Sequence, residues 1–179
     1  MNRLELLAQL HAHLPFDEHE RSMTERLSAF VEAHDNFHAR ELLVGHLTGS
    51  AWVVDRERQH ALLTHHRKLN LWVQLGGHCE GDDSMRDAAL REAREESGLH
   101  DVRFITENIF DIDIHAIPAR RDEPAHYHYD VRYAFEADRH APLIVSGESK
   151  ELAWVALNEI ERLTQEESVL RMVRKTEAL

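Results

Sequence analysis

The sequence predicts an α+β fold with an N-terminal helical extension, and three observations support this class. Apolar residues recur at helical spacing over residues 1–40 and again near the C-terminus. From Leu42 the spacing changes to runs that are typical of strands. One helical pattern interrupts these runs between Gly76 and Leu99. Because 179 residues are enough for one well-buried domain, we place the extension at 1–40 and the domain at 41–179.

The first 40 residues predict two helices that separate near Pro15. Each helix has an apolar stripe, and the two stripes consist of Leu4, Leu7 and Leu14, and of Leu27, Phe30 and Val31. An apolar stripe packs against another surface. We expect the two helices to cover the domain or to form a contact between two copies of the chain, and the second alternative predicts a homodimer.

The following segments predict strands and two closing helices. The runs LTGSAWVVD and HALLTHH form a hairpin around residues 55–59, and a short strand over 71–75 leads the chain to Gly76. Polar and apolar residues alternate over 102–117 and 126–137, as in half-buried strands. Asn158 is a suitable cap for a helix, and a last helix is predicted over 166–176.

Composition limits the partners of the chain. Its formal net charge of −12 argues against nucleic acid, because affinity for phosphate backbones rests on lysine and arginine. No apolar run approaches the roughly 18 residues of a membrane span, and the N-terminus lacks the apolar core of a signal peptide. We expect a cytoplasmic protein without membrane or nucleic-acid partners. The single cysteine, Cys79, excludes an internal disulfide.

The strongest chemical signal lies in residues 76–99, which read GGHCEGDDSMRDAALREAREESGL. Glu92, Glu95 and Glu96 lie within about 100° of one another on a helix. Like charges at i,i+4 cost about 0.2–0.5 kcal/mol per pair, and coordination of Mg²⁺ or Mn²⁺ would relieve this repulsion. The alternative is a solvated acidic helix that is neutralised by arginines such as Arg91.

Glycines frame this acidic helix. The pair Gly76 and Gly77 lets the backbone approach an anion or expose a carbonyl to a metal ion, so Gly76 is a candidate metal ligand. Ser84 or a neighbouring aspartate suits the helix N-cap, and Gly98 suits the left-handed residue that ends a helix.

The spacing of these residues resembles the Nudix box, the signature of the Nudix hydrolases. Five residues separate Gly77 from the acid Asp83, and seven more precede the run Arg91-Glu92-Ala93, one residue, Glu95-Glu96, one residue, Gly98-Leu99. One position departs from the pattern, since the family has glutamate where this chain has Asp83.

The resemblance implies a fold and a reaction. The implied fold is a mixed β-sheet sandwiched between the box helix and the C-terminal helix. Glu92, Glu95 and Glu96 would bind Mg²⁺ or Mn²⁺, Glu92 or Glu95 would polarise the attacking water, and Arg91 would brace a glutamate by an ion pair. The implied reaction is hydrolysis of a diphosphate linkage between a nucleoside diphosphate and another group, in a substrate of the nucleotide-sugar, dinucleotide or nucleoside triphosphate type.

Candidates for substrate binding lie outside the box. Arg67 is either a solvated loop residue or a ligand for substrate phosphates, which suit a guanidinium group. Trp52 and Trp72 are candidates for stacking on a base, although a strand tryptophan is equally a core residue. The resemblance to Nudix domains, whose closing strands often border the pocket, implies that His128 or Asp130 lines the diphosphate site. The alternative is that the polar face of strand 126–137 only meets solvent.

Two acidic residues near the C-terminus are further candidates, and two other protein classes are alternatives. Glu148 and Glu151 are candidates for an additional metal ligand or base. A non-catalytic Nudix module that senses a nucleotide would tend to lose the box glutamates, which this chain keeps. A prenyl diphosphate isomerase-like enzyme would use cysteine with glutamate for proton transfer, and the position of Cys79 after the second glycine counts against it.

Overall fold

The fold is described from a computed structural model that covers residues 1–79, 81–119 and 124–179. Its helical elements in this part of the chain are α1 (Arg3–Ala12), α2 (Glu18–Ala33), α3 (Met85–Ser97), a 3-10 helix (Leu157–Arg162) and α4 (Glu167–Thr176). Its strands are β1 (Gly45–Asp55), β2 (His60–His66), β3 (Trp72–Val73), β4 (Leu75–His78), β5 (Arg103–Phe104), β6 (Asp111–Ile117), β7 (His126–Ala137) and β8 (Ser149–Ala156).

Strand β1 is the centre of one mixed sheet. It runs parallel to β7 along its whole length, from the pair Gly45 and Tyr127 to the pair Asp55 and Ala137. The other pairings are antiparallel and join β1 to β2 and β4, β2 to β3 and β8, and β7 to β5 and β6. All residues of β1 are buried, because both faces of a central strand are covered. The predicted mixed sheet is confirmed.

The two faces of the sheet carry separate apolar cores. Alternate residues of β1 enter different cores, with Leu47, Ala51 and Val53 on one face and Trp52 and Val54 on the other. The first core includes apolar residues of α1, α2 and α3, and the second includes those of α4 and the 3-10 helix. The prediction of a sheet between the box helix and the C-terminal helix is therefore confirmed.

The N-terminal helices differ in detail from the predicted stripe. Leu6 and Leu10 are the buried leucines of α1, whereas Leu4 and Leu14 are 78% and 87% exposed. Four of the ten residues of α1 are leucines, and they made more than one stripe compatible with the sequence. In α2 the predicted residues are buried, and the Phe30 ring stacks on the Tyr129 ring of β7 at 4.0 Å between centroids. The division of the chain at residue 40 stays a prediction.

Two predicted segments also differ. The alternating stretch 102–117 contains the short strand β5 and the longer strand β6, which are separated by irregular backbone over residues 105–110. The helix expected at Asn158 is a 3-10 helix that follows Ala156 and has no side-chain cap. The last helix, α4, begins at Glu167 and ends at Thr176, within the predicted range.

A buried ionic network covers part of the polar face of β7. The Arg132 guanidinium contacts Asp130 at 2.7 Å and Asp111 at 3.1 Å. Arg171 of α4 donates two hydrogen bonds to the same Asp111 carboxylate, each 2.8 Å long. Because Arg132 and Arg171 are 2% and 1% exposed, this part of the face meets α4 and not solvent.

Glu20 connects the N-terminal helices to this network. Its fully buried carboxylate accepts hydrogen bonds from His13 Nε2 at 2.9 Å and Lys175 Nζ at 2.7 Å. The backbone amides of Phe16 and Ile112 donate to it at 2.6 and 3.1 Å. Burial alone would raise the pKa of Glu20, but these bonds outweigh it and lower the pKa to about 2.

Among the described residues, no helix has both the length and the apolar character that a membrane crossing requires.

We expect Glu20→Ala to lower the free energy of unfolding by about 3–5 kcal/mol, because it leaves the Lys175 ammonium and the Ile112 amide buried without this partner. Since the folded-state pKa of Glu20 lies below its ordinary value of 4.5, its contribution is present above pH 4.5 and is lost as the pH falls toward 2. Urea unfolding at pH 7 and pH 3.5 measures both effects.

Glu18→Ala is the matched control on the same helix. The Glu18 side chain is 88% exposed and pairs only on the surface, with Arg21 at 3.2 Å. We expect a change within about 0.5 kcal/mol. Equal losses in the two variants would show that Glu20 is not the link between the helices and the sheet.

Candidate active site

Helix α3 is held by its ends and by its small residues. Ser84 is the N-cap, and its hydroxyl oxygen accepts the Asp87 amide at 3.1 Å. Ala88, Ala89 and Ala93 are fully buried, which lets the helix lie close to β1. The helix ends at Gly98, whose φ of 73° is left-handed.

The loop between β7 and β8 closes over this helix end. The amide of Ile144 donates to the Ser97 carbonyl at 2.8 Å. A Cβ at Gly98 would lie 2.7 Å from the Ile144 Cβ, so a larger residue at position 98 would displace the loop. The loop that leads to Glu148 therefore takes its position from the end of α3.

The Arg91 guanidinium joins several acidic side chains of the box. Its Nη1 contacts Glu92 Oε1 and Glu95 Oε2, each at 2.9 Å. Its Nη2 contacts Asp82 Oδ2 at 3.0 Å and donates to the His78 carbonyl at 2.8 Å. These contacts raise the pKa of Arg91, chiefly through the hydrogen bond with Asp82. Arg91 thus lies where an ion pair bracing a glutamate was predicted.

The three box glutamates differ in exposure. The Glu95 side chain is 61% exposed, that of Glu92 is 14% exposed, and Glu96 as a whole residue is 5% exposed. Gly77 makes room for Glu92, since a Cβ at this position would lie 2.5 Å from Glu92 Oε1. The predicted common helix face therefore extends from solvent at Glu95 into the protein at Glu96.

Glu96 is the least compensated charge of this group. Among the described residues, no donor contacts its buried Oε2 atom. Burial raises the pKa of Glu96 to about 8, helped by the negative charges of Glu92 and Glu148. The Gly76 amide opposes this shift by donating a hydrogen bond to the carboxylate. Burial and its acidic neighbours also raise the pKa of Glu92, despite the contact with Arg91.

This donor set fits a hard divalent cation. Buried carboxylates are costly unless a positive charge accompanies them, and Mg²⁺ and Mn²⁺ take oxygen ligands. Glu92 and Glu96 would hold such an ion, with Glu95 at the exposed side. Gly76, the predicted backbone ligand, lies in β4 and directs its amide to Glu96.

The C-terminal candidates are placed differently from one another. The charge of Glu148 acts on Glu92 and Glu96, so Glu148 belongs to the acidic group, whereas Glu151 lies exposed on β8 opposite His65. Arg67, the predicted phosphate ligand, donates to the carbonyls of Gly147 and Ser149 at 3.1 and 2.9 Å. Arg67 therefore anchors the segment that carries Glu148.

The tryptophans occupy opposite environments. Trp72 is half-buried on the short strand β3, and its ring stacks on His65 with centroids 5.2 Å apart. Trp52 is fully buried, and its indole donates to the Thr176 hydroxyl at 2.8 Å. Trp52 is thus a core residue, and Trp72 alone of the two candidates retains an accessible edge.

His128 lies in a group of histidines. Its ring contacts those of His46, His78, His115 and His126, with centroid distances between 4.9 and 5.4 Å. Burial and these neighbours lower the pKa of His128 to about 2. The other candidate on this strand, Asp130, is buried, and its carboxylate accepts hydrogen bonds from Thr48 and Ser50.

Asp82 is the site residue that sequence reasoning missed. It pairs with Arg91, while Asp83, which occupies the family's glutamate position, is exposed. The adjacent aspartates were visible in the sequence, but only the loop geometry selects one of them.

Cys79 is excluded as a nucleophile by its surroundings. Burial raises the pKa of its thiol to about 12, with a further contribution from Asp82.

Comparison with known families identifies the class of protein. The NUDIX domain family matches residues 46–175, and the chain belongs to the Nudix family. The match confirms the resemblance found in the box and the expected class of Nudix-type hydrolase. A search of curated protein sequences gave no significant match.

Solved structures share the fold at low sequence identity. A Caenorhabditis elegans Ap4A hydrolase in a binary complex is 14% identical with a TM-score of 0.59, covering 74% of this chain and 95% of its own. The Escherichia coli dihydroneopterin triphosphate pyrophosphohydrolase is 13% identical with a TM-score of 0.57, covering 72% and 92%. The NUDIX domain of Shewanella oneidensis NrtR, complexed with ADP ribose, is 15% identical with a TM-score of 0.55, covering 84% and 96%.

We expect Glu96→Gln to stabilise the metal-free protein at pH 9 and to change its stability little at pH 4.5. Because the folded-state pKa of Glu96 is raised from 4.5 to about 8, the contribution of its proton to stability is fully present below pH 4.5 and is lost progressively as the pH rises from 4.5 through 8. If removal of the buried charge raises the free energy of unfolding by about 2 kcal/mol, Tm at pH 9 rises by roughly 4–8 °C. Thermal unfolding in EDTA at both pH values measures the difference.

Glu161→Gln removes an exposed carboxylate and serves as the control. We expect the same small change in Tm at both pH values for this variant. If Glu96→Gln behaves like Glu161→Gln at pH 9, the Glu96 carboxylate is not a buried, uncompensated charge.

Proposed function

We propose that this chain is a metal-dependent hydrolase that cleaves the diphosphate linkage of a nucleoside diphosphate joined to another group. The substrate classes that we propose are nucleotide sugars, dinucleotides and nucleoside triphosphates. Mg²⁺ or Mn²⁺ is the proposed cofactor. When bound, such ions screen the diphosphate, orient it and lower the pKa of a bound water.

One observation carries this proposal, namely the buried carboxylate of Glu96 beside Glu92 and Glu148. Its Oε2 atom has no donor among the described residues, and its pKa is raised to about 8. A carboxylate in this state is destabilising in a protein that never binds a cation. Groups that titrate far from their ordinary range cluster at functional sites.

We assign different roles in the proposed reaction to the charged residues of α3. Arg91 keeps Glu92 and Glu95 together through contacts of 2.9 Å, which removes the freedom of two flexible side chains before a ligand arrives. Glu92 or Glu95 would accept a proton from the attacking water, and the exposed Glu95 is the more accessible of the two. Glu96 would remain fixed by the Gly76 amide.

Substrate contacts are proposed on the rim of the acidic group. Trp72 presents a half-buried ring that would stack on a base, although it already stacks on His65. The exposed side of Arg67 would meet a phosphate while its bonds to Gly147 and Ser149 hold the adjacent loop. His128 would contact the substrate from the histidine group. The net charge of −12 makes cations necessary between protein and substrate.

The alternatives differ in support. An isomerase-like reaction would need an active cysteine, and the Cys79 thiol has a pKa of about 12. A sensing role is suggested by the NrtR domain, which was solved with ADP ribose, but that relative is 15% identical. The homodimer, the cytoplasmic location and the absence of nucleic-acid partners stay predictions.

We expect Glu96→Gln to lower kcat by at least about 10²-fold, the size of effect that follows the loss of one preorganised electrostatic group. The measurement is product release from a panel of nucleotide sugars, dinucleotides and nucleoside triphosphates, with Mg²⁺ or Mn²⁺ at saturating concentration. Glu161→Gln, which alters an exposed residue, should keep the wild-type rate.

Two results would contradict the proposal. Unchanged turnover in Glu96→Gln would remove Glu96 from the catalytic group. Inactivity of the wild-type chain across the panel, together with tight binding of one compound, would favour the sensing role.

A further inference from the structure

A cluster of histidines, distinct in chemistry from the acidic group, lies on the face of the sheet that bears Asp130. The register places His46 of β1 opposite His128 of β7, and His128 opposite His115 of β6. His78 follows at the end of β4, and its ring lies 4.9 Å from that of His46 between centroids. His126 lies two residues before His128 on the same face of β7.

Three members of this cluster converge on one point. His46, His78 and His128 each direct a ring nitrogen inward, and these nitrogens all lie within 4.8 Å of one another. A tetrahedral zinc ion with Zn–N bonds of about 2.0–2.1 Å would place its ligands about 3.4 Å apart. The nitrogens that are farthest apart would have to approach each other by at most about 1.4 Å to reach this spacing.

The neighbouring histidines have the hydrogen bonds that metal ligands typically have. The Nδ1 atom of His126 lies 2.9 Å from the Pro124 carbonyl, which makes Nδ1 the protonated nitrogen and leaves Nε2 with its lone pair. This Nε2 lies 3.3 Å from His128 Nε2, close to the spacing of two ligands on one ion. His115 bonds Asp113 through Nδ1 in the same manner, at 3.2 Å.

Burial also favours the ligand form of these side chains. His46 is 1% exposed and His126 is 6% exposed, and the rings of His78 and His128 are half-buried beside them. Imidazolium groups this close would repel one another strongly in a low dielectric. The neutral ring is the form that binds a transition metal.

We propose that His46, His78 and His128 bind a transition-metal ion of the Zn²⁺ class, with His126, next to His128, as the candidate fourth ligand. Imidazole nitrogen suits Zn²⁺, whereas Mg²⁺ prefers oxygen ligands, so the two sites would differ in metal preference. It would fasten β1, β4 and β7 at one end of the sheet. The two sites adjoin at β4, because the His78 carbonyl accepts a hydrogen bond from Arg91.

The test uses full-length protein without a histidine tag, stripped with a chelator and kept in excess Mg²⁺ to saturate the acidic group. Zn²⁺ content after dialysis gives the stoichiometry, and titration with Co²⁺ reports tetrahedral nitrogen ligands through its visible absorption. We expect one ion per wild-type chain and a rise in Tm on adding Zn²⁺.

Two ligand variants and two controls complete the design. His78→Gln and His128→Gln should each weaken Zn²⁺ binding by at least about 10²-fold and abolish the Co²⁺ absorption. Far-UV circular dichroism of the metal-free variants verifies their folding. His140→Gln, an exposed histidine, should bind like the wild-type chain. Glu96→Gln should keep Zn²⁺ binding while it loses turnover, which separates this site from the proposed hydrolytic one.

The site is overturned if the wild-type chain takes up no Zn²⁺ under these conditions. It is equally overturned if folded His78→Gln and His128→Gln bind Zn²⁺ as tightly as the wild-type chain.

Discussion

The fold depends on the buried carboxylate of Asp111, which two arginines share. Arg132 reaches it from β7 and Arg171 reaches it from α4, so one acid joins a sheet strand to the helix that covers it. Lys175 extends the network from Asp111 to Glu20, and the N-terminal helices are thereby tied to the same point. Removing one member of such a network is costly, because the remaining charges stay buried.

The acidic group of the candidate active site is compensated less completely than the network around Asp111. Around Asp111, positive side chains compensate each acid, whereas around Glu96 the compensation is incomplete. Arg91 satisfies Asp82, Glu92 and Glu95 but does not reach the deepest carboxylate. The difference separates acids that arginine or lysine side chains compensate from Glu96, whose charge the proposed cation would balance. The contacts of Arg91 explain how three carboxylates stay close together in a chain with a net charge of −12.

The sequence was most informative where local spacing determines structure. The glutamates of α3, its cap at Ser84 and its end at Gly98 follow from helical periodicity and backbone preference. The choice of Asp82 over Asp83, by contrast, depends on how a loop folds back. The histidine cluster was also out of reach, because strands β1, β4, β6 and β7 bring together residues that are far apart along the chain. The burial of Trp52 likewise depends on α4, which follows it by more than 100 residues.

The contact of Ile144 with the end of α3 has a consequence for how such an enzyme diversifies. The segment from Ile144 to Glu148 is fixed by hydrogen bonds at both ends, to the end of α3 through Ile144 and to Arg67 through the carbonyls of Gly147 and Ser149. Insertions or deletions within this span would shift one acidic side chain while α3 and its glutamates kept their places. The distance of Glu148 from the box glutamates can therefore change with the length of a short surface loop, while the helix itself stays as it is.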